Sequence, residues 1–292
     1  MTLKFGLAFA ASIGGHPDSA IEVAQVAEEA GFESVWGGEH VIFPSTIYSA
    51  YPYSADGKVP ATPDTPIPDP LIWLAYVAAA APTVRLGTCI LILPQRNPLV
   101  LAKEIATLDH LSGGRVELGI GVGWLKEEFE ALGVPWERRG ARTDEYVEAL
   151  RTLWGDSRVE FHGEFVDFEP VTCTPRPPQG AGVPIVVGGD TPAAIRRAAR
   201  LADGYFPGEG SPERLAGLIA DLAAECERQG RDRSEVEINA TFGVQMADPV
   251  AGAEQMVELG VGRAMVPGFF FAGDGGLDRL REFGENVIGS SS

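Results

Sequence analysis

The chain has 292 residues, 45% hydrophobic and 22% charged, with a formal net charge of −18. That is long enough for one large domain or two small ones, and the composition is that of an ordinary globular protein. The acidic balance argues against nucleic acid or an anionic membrane as partner, because both need basic surface, and no segment reaches the roughly 18 apolar residues of a spanning helix.

Residues 4–10 read as a first buried strand. The apolar run 5–13 has a single lysine before it and ends in Gly14-Gly15, too little for a signal peptide. A helix over 18–30 ends at Gly31, and a second strand covers 32–37. Residues 41–68 break the rhythm: Pro44, Pro52, Pro60, Pro63, Pro66 and Pro68 recur, with Tyr48, Tyr51 and Tyr53 among them. So long a loop inside a compact domain is functional or disordered, and the aromatics favour a substrate lid. A helix follows over 69–81. Residues 84–93 form a near-continuous apolar run, the pattern of a parallel strand buried on both faces. The helix over 98–111 has proline in its first turn and Ser112-Gly113-Gly114 past its end. Residues 115–121 are another buried strand, and Gly121-Val122-Gly123 opens the next helix.

The helix over 137–153 carries Arg138, Arg139 and Arg142 in its first half, where they oppose the macrodipole. Residues 159–168 alternate like a hairpin around Gly163. Strands over 184–187, 204–207, 236–244 and 263–267 then alternate with helices over 191–201, 212–229, 249–259 and 277–287, and 290–292 read as a frayed tail. Eight strand–helix units predict an α/β fold, a (β/α)8 TIM barrel of about 250 residues, as one domain over 1–289. The insertion 41–68 and the hairpin account for the excess length. Active sites of such barrels lie at the C-terminal ends of the strands.

Several residues fall at that rim. Gly188-Gly189-Asp190-Thr191-Pro192 joins a strand to a helix. The glycines admit a ligand close to the backbone, Asp190 or Thr191 can cap the helix, and the helix N-terminus is an anion site. The expectation is a phosphate cradle; the alternative is a tight turn that binds nothing. Gly121-Val122-Gly123-Trp124 is a second glycine-rich strand end without the dinucleotide fingerprint, and Trp124 stacks on a flat ring or caps the barrel. Glu39-His40 ends strand two, and an imidazole there suits proton transfer or ligand contact. His16 is a weaker candidate, and His110 and His162 have no assigned role. Cys89, Cys173 and Cys226 are scattered, which gives neither a disulfide framework nor metal spacing; no metal is expected and the cytoplasm is the simplest setting. Glu39 and Asp109 make no glycosidase pair, because Asp109 lies inside a helix. With no Ser-His-Asp order, HExxH or CxxC, a cofactor is expected to carry the chemistry.

Trp36-Gly37-Gly38-Glu39-His40, RLGTCILILPQRNPLVLAKEIATLDHLSGGR, GIGVGWLKEEFEALGVPWERRGARTDEYVEALRTLW, FHGEF and PIVVGGDTPAAIRRAARLADGYFP stand in this order along the chain. Through them the sequence resembles the luciferase-like monooxygenase superfamily, in particular its coenzyme F420-dependent oxidoreductase branch. The resemblance implies a barrel, usually a homodimer, that binds a flavin or deazaflavin at the rim. It implies a non-proline cis peptide at Cys89–Ile90 behind the ring, phosphate contacts at Gly188, Gly189, Asp190 and Thr191, further cofactor contacts at Gly123 and Trp124, and His40 facing the ring with Glu39 beside it. Cys89 stands where relatives often carry a smaller residue. Arg138, Arg139, Arg142, Arg196 and Arg197 could meet the acidic tail of coenzyme F420 or form solvated helix faces.

The main expectation is an oxidoreductase moving hydride between coenzyme F420 and a small organic molecule. The alternatives are an FMN-dependent monooxygenase using oxygen and a non-catalytic flavin-binding protein. Phe269, Phe270 and Phe271 could line a pocket, join a dimer interface or belong to the core.

Overall fold

A computed structural model describes all residues except 1, 14, 15, 55, 63, 209 and 292. Gly14, Gly15, Pro63 and the last residue of the expected tail therefore lie outside the described residues. In chain order the elements are β1 (Lys4–Ala8), α1 (Pro17–Glu29), β2 (Ser34–Gly37), α2 (Pro70–Val77), β3 (Arg85–Thr88), β4 (Leu91–Ile92), α3 (Pro98–Ser112), β5 (Val116–Gly121), α4 (Lys126–Ala131), α5 (Arg139–Gly155), β6 (Val159–His162), β7 (Asp167–Val171), β8 (Ile185–Gly188), α6 (Pro192–Leu201), β9 (Gly204–Phe206), α7 (Pro212–Gln229), β10 (Glu237–Thr241), α8 (Pro249–Glu258), β11 (Arg263–Pro267) and α9 (Gly276–Phe283).

Helix starts follow from local chemistry. Helices α1, α2, α3, α6, α7 and α8 each begin with proline, whose missing N–H costs nothing there. Asp69, Asn97, Thr191 and Asp248 precede four of them and accept hydrogen bonds from first-turn N–H groups, each cap contributing about 1 kcal/mol. The helix expected over 69–81 stops at Val77, and a turn over 78–80 leads to Pro82. The last helix passes at Phe283 into a π turn over Gly284–Ile288, where Gly284 packs closely on Ala30.

The strands pair in parallel, in the order β3-β2-β1-β11-β10-β9-β8-β5-β4, and β3 also pairs with β5, which closes the ring. The apolar run expected as one strand over 84–93 is split: β3 and β4 flank the cis peptide Cys89–Ile90, and both pair with β5. They count as one stave, so the barrel has eight: a (β/α)8 TIM barrel. β6 and β7 form the expected antiparallel hairpin outside it.

The N-terminal end of the barrel is closed by charge. Arg263, 1% exposed, donates to Glu33 Oε2 at 3.0 Å, Glu117 Oε2 at 2.9 Å and Asn239 Oδ1 at 2.7 Å. It also lies 3.2 Å from Glu237, and Arg85 pairs with Glu117. Burial opposes the charge on Arg263, but Glu117, Glu33 and Glu237 outweigh it and raise its pKa. Burial likewise opposes ionisation of Glu117, yet Arg263 and Arg85 hold its carboxyl below the ordinary value.

Candidate functional site

The opposite, C-terminal end is built differently. β2 delivers Glu39 and His40 to the rim, but their side chains part company. Glu39 is buried; its carboxylate accepts from Arg96 Nε at 2.8 Å and from the Ile92 N–H at 2.6 Å. Arg96 also bonds Asp69 at 2.6 Å. Burial works against the Arg96 charge, but Glu39 and Asp69 outweigh it and raise its pKa. Glu39 thus fastens β4 and, through Arg96 and Asp69, the start of α2.

His40 turns the other way, to a residue the sequence reading passed over. Its Nδ1 lies 3.1 Å from Oε2 of Glu128, whose side chain has no solvent exposure. The same carboxylate accepts from the N–H groups of Val41 and Ile42 at 2.6 and 3.3 Å and from Gln95 Nε2 at 3.1 Å. The KEEFEA segment looks like a solvated helix, but one signal was available. Leu125, Glu128 and Phe129 are spaced as one helix face, and Leu125 and Phe129 are both apolar. All three are buried.

Aromatic rings cover the rim in a chain of edge-to-face contacts. His40 meets Phe43 at 5.4 Å and Trp124 at 5.8 Å between ring centroids; Tyr51 meets Trp124 at 5.1 Å and Tyr53 at 5.4 Å. Phe43, Tyr51 and Tyr53 of the loop 41–68 therefore lie down on the barrel mouth. Glu127, neighbour of Glu128 on α4, fastens the loop by accepting from the N–H groups of Tyr48 and Ser49 at 2.6 and 3.0 Å and from the Ser49 hydroxyl at 2.7 Å.

At the far side of the mouth, Thr191 caps α6 by accepting from the Ala194 N–H at 3.2 Å. Asp190 accepts from the Gly208 N–H at 2.7 Å, and Tyr205 donates to the Gly189 carbonyl at 3.0 Å. The Gly189 N–H goes to the Phe206 carbonyl, so Gly189 offers space rather than a donor. Its φ of 114° excludes most side chains. Tyr53 roofs this cradle: a Cβ on Gly189 would lie 3.6 Å from its hydroxyl, and its ring lies against Gly208. Burial, and then Asp190, push the Tyr53 and Tyr205 hydroxyls above their ordinary range.

Between the two sides, Ile90 presses onto Gly121 and Gly188, where any Cβ would crowd it. The Cys89 thiol is buried, accepts from the Phe9 N–H at 3.5 Å and is pushed up to about 12 by burial, so it is an inert thiol. Gly123 takes a positive φ of 78° and offers its carbonyl to Arg139, whose guanidinium stacks 3.5 Å over Trp136.

The remaining candidates disperse. His16 caps α1 at an exposed position, and His162 pairs with Asp167 in the hairpin. Of the five arginines, Arg138 pairs with Glu164, Arg142 holds the Pro135 and Glu137 carbonyls, and Arg197 pairs with Asp144. Phe271 is core against Phe283, while Phe269 and Phe270 lie tilted against each other in the open. Among the described residues no group of acidic, histidine and cysteine side chains is placed to hold a metal ion, and no helix is long and apolar enough to cross a membrane.

An uncharacterised protein of Mycobacterium tuberculosis is 35% identical over 278 residues, covering 92% of this chain and 94% of its own length. The F420-dependent glucose-6-phosphate dehydrogenase of Kineococcus radiotolerans is 34% identical, over 82% of this chain and 67% of its own. The FMNH2-dependent dimethylsulfone monooxygenase of Pseudomonas putida is 32% identical, over 72% of this chain and 53% of its own. A sequence model described as luciferase-like monooxygenase matches residues 3–283. The barrel with its site residues gathered at the C-terminal rim, and a match over nearly the whole chain, agree: the protein belongs to the luciferase-like monooxygenase family.

Proposed function

We propose that the protein is an oxidoreductase that moves a hydride between coenzyme F420 and a small organic substrate. The observation that carries this reading is His40 at the barrel mouth, beside Trp124 and anchored through Nδ1 on Glu128. Hydride transfer to or from a carbon of a polar molecule needs a proton moved at the same centre, and an oriented imidazole supplies that. The rim fits a ring with a ribityl phosphate. Gly121 and Gly188 leave the barrel centre to Ile90. Trp124 offers an aromatic face, and Thr191 with the start of α6 suits an anion. When bound, the deazaflavin would supply hydride chemistry; the chain's residues would orient it, exclude water and handle the proton. The loop 41–68 is the lid, and a phosphate entering the cradle moves the Tyr53 ring aside.

The FMN-dependent monooxygenase reading is favoured by the arginines. Four of the five that could meet an acidic tail, Arg138, Arg139, Arg142 and Arg197, are already engaged, and Asp190 adds negative charge near the cradle. One experiment separates the readings: fluorescence titration of the purified protein with each cofactor, followed by turnover over a substrate panel. Micromolar FMN binding without response to coenzyme F420 overturns the first reading. Tight binding with no turnover of any substrate points to a flavin-binding protein. With turnover found, His40→Ala should slow it about 10²–10⁴-fold and change cofactor affinity little; equal losses would make His40 a binding residue.

We further infer a homodimer through the outer face of α2 and α3. Ile72 is 74% exposed, Tyr76 49% and Val100 56%, an apolar surface expected to be covered. A solution mass near the 31.0 kDa of one chain would exclude it.

A further inference from the structure

The proton role of His40 depends on which ring nitrogen is free, and α4, not β2, decides that. Two N–H groups of the backbone converge on Glu128 Oε1, from Val41 and Ile42. On Oε2 the amide NH2 of Gln95 and the Nδ1 of His40 converge, both at 3.1 Å. The first three can only donate, and a carboxylate with no solvent exposure can only accept, so the fourth contact completes the set when Nδ1 also carries hydrogen. In a neutral imidazole Nε2 is then bare.

We propose that Glu128 is a positioning residue that holds neutral His40 in its Nδ1–H tautomer and leaves Nε2 to exchange a proton with the substrate. Nε2 accepts the proton when neutral and returns it when charged; the Nδ1–H bond on Glu128 is kept in both states. The same carboxylate fastens residues 41–42, where the loop leaves β2, so loop anchoring and tautomer choice share one side chain. The assignment deepens the hydride-transfer reading above and rests on it for its use in catalysis.

Gln95 makes the idea testable without dismantling the site. Its Nε2 faces Glu128, and its Oε1 is buried with no partner among the described residues. In Glu128→Gln the new amide oxygen can keep the Val41 and Ile42 N–H groups while its NH2 faces His40 and Gln95. Gln95 then turns its own amide and presents Oε1, which gives that oxygen a donor. His40 Nδ1 now meets a donor and must accept, so the ring proton moves to Nε2.

The experiment is a long-range 1H–15N correlation of the imidazoles in 15N-labelled full-length protein at about pH 8, where an ordinary histidine is neutral. His40→Asn identifies the signal among the four histidines. The expected result is Nδ1–H in the wild type and Nε2–H in Glu128→Gln, with the thermal midpoint little changed. The same tautomer in both proteins overturns the proposal. So does Nε2–H in the wild type, a measurement that needs no variant to fold. Failure of coenzyme F420 to bind, with the Nδ1–H signal in place, would sink the cofactor reading and leave the tautomer assignment standing.

Discussion

Glu117 and Glu128 are buried at opposite ends of the barrel, and they are satisfied in opposite ways. Glu117, at the N-terminal end, faces Arg263 and Arg85, two guanidinium groups that stay charged at any ordinary pH. Glu128, at the C-terminal end, faces backbone N–H groups, an amide and one imidazole. The two guanidinium groups of the first set do not change state, and the set closes the barrel. The second includes a single imidazole, a side chain that can take up or release a proton, held by neighbours that cannot. A buried carboxylate is therefore a brace or a tuning device according to whether one of its partners titrates.

The largest effect should come from breaking the brace. Arg263→Met leaves Glu117 buried with Arg85 as its remaining cation. Removing one member of such a network costs about 3–5 kcal/mol, on the order of 10 °C in midpoint for a chain of this size. Calorimetry measures it, and cofactor affinity of the folded fraction should stay within about twofold because the rim lies at the other end of the staves. A midpoint close to wild type would show that the network is replaceable, and the comparison would lose one side.

The next effect is confined to the rim. Gly189→Ala and Gly189→Asp both force a side chain onto a φ of 114°, a strain of roughly 1–3 kcal/mol that the two variants share. Only the aspartate brings charge to the cradle. If a phosphate binds there, the aspartate variant should bind the cofactor about tenfold more weakly than the alanine variant, or worse. Isothermal titration compares them directly, and equal affinities would move the phosphate elsewhere.

The two ends were not equally legible in the sequence. The staves were, because a strand buried on both faces reads as an apolar run between helices, and six proline-led helix starts mark the units. The break inside 84–93 was invisible to hydropathy, since both halves are apolar; only the resemblance located it at Cys89–Ile90. His40 could be found because an imidazole at a strand end is rare and chemically specific. The partner of Glu39 beside it could not be read: Arg96 is 57 residues away in the chain, and no local pattern announces such a pair. Arg263 in a buried strand and Glu128 on an apolar helix face did break local patterns. A polar residue in an apolar position means a partner brought by the fold, but the sequence does not name the partner.

The smallest effect tests whether the proposed lid belongs to the rim alone. Desolvation opposes ionisation of Glu127, but the Ser49 hydroxyl and backbone N–H groups, those of Tyr48 and Ser49 among them, together outweigh it and hold the carboxyl at about 2. A depressed value means that the tether is at full strength above the ordinary carboxylate pKa of about 4.3 and is lost as pH falls toward the folded value. Glu117 is depressed too, so it weakens in the same direction, and acid alone would loosen both ends together. Glu127→Gln at neutral pH separates them by removing the charge while keeping the size. Hydrogen exchange at the Tyr48 and Ser49 amides should quicken about tenfold, as for a local opening, with the thermal midpoint within about a degree of wild type. If Arg263→Met quickened those amides to the same degree under native conditions, lid and brace would open as one cooperative unit, and the division of labour between the two ends would not hold.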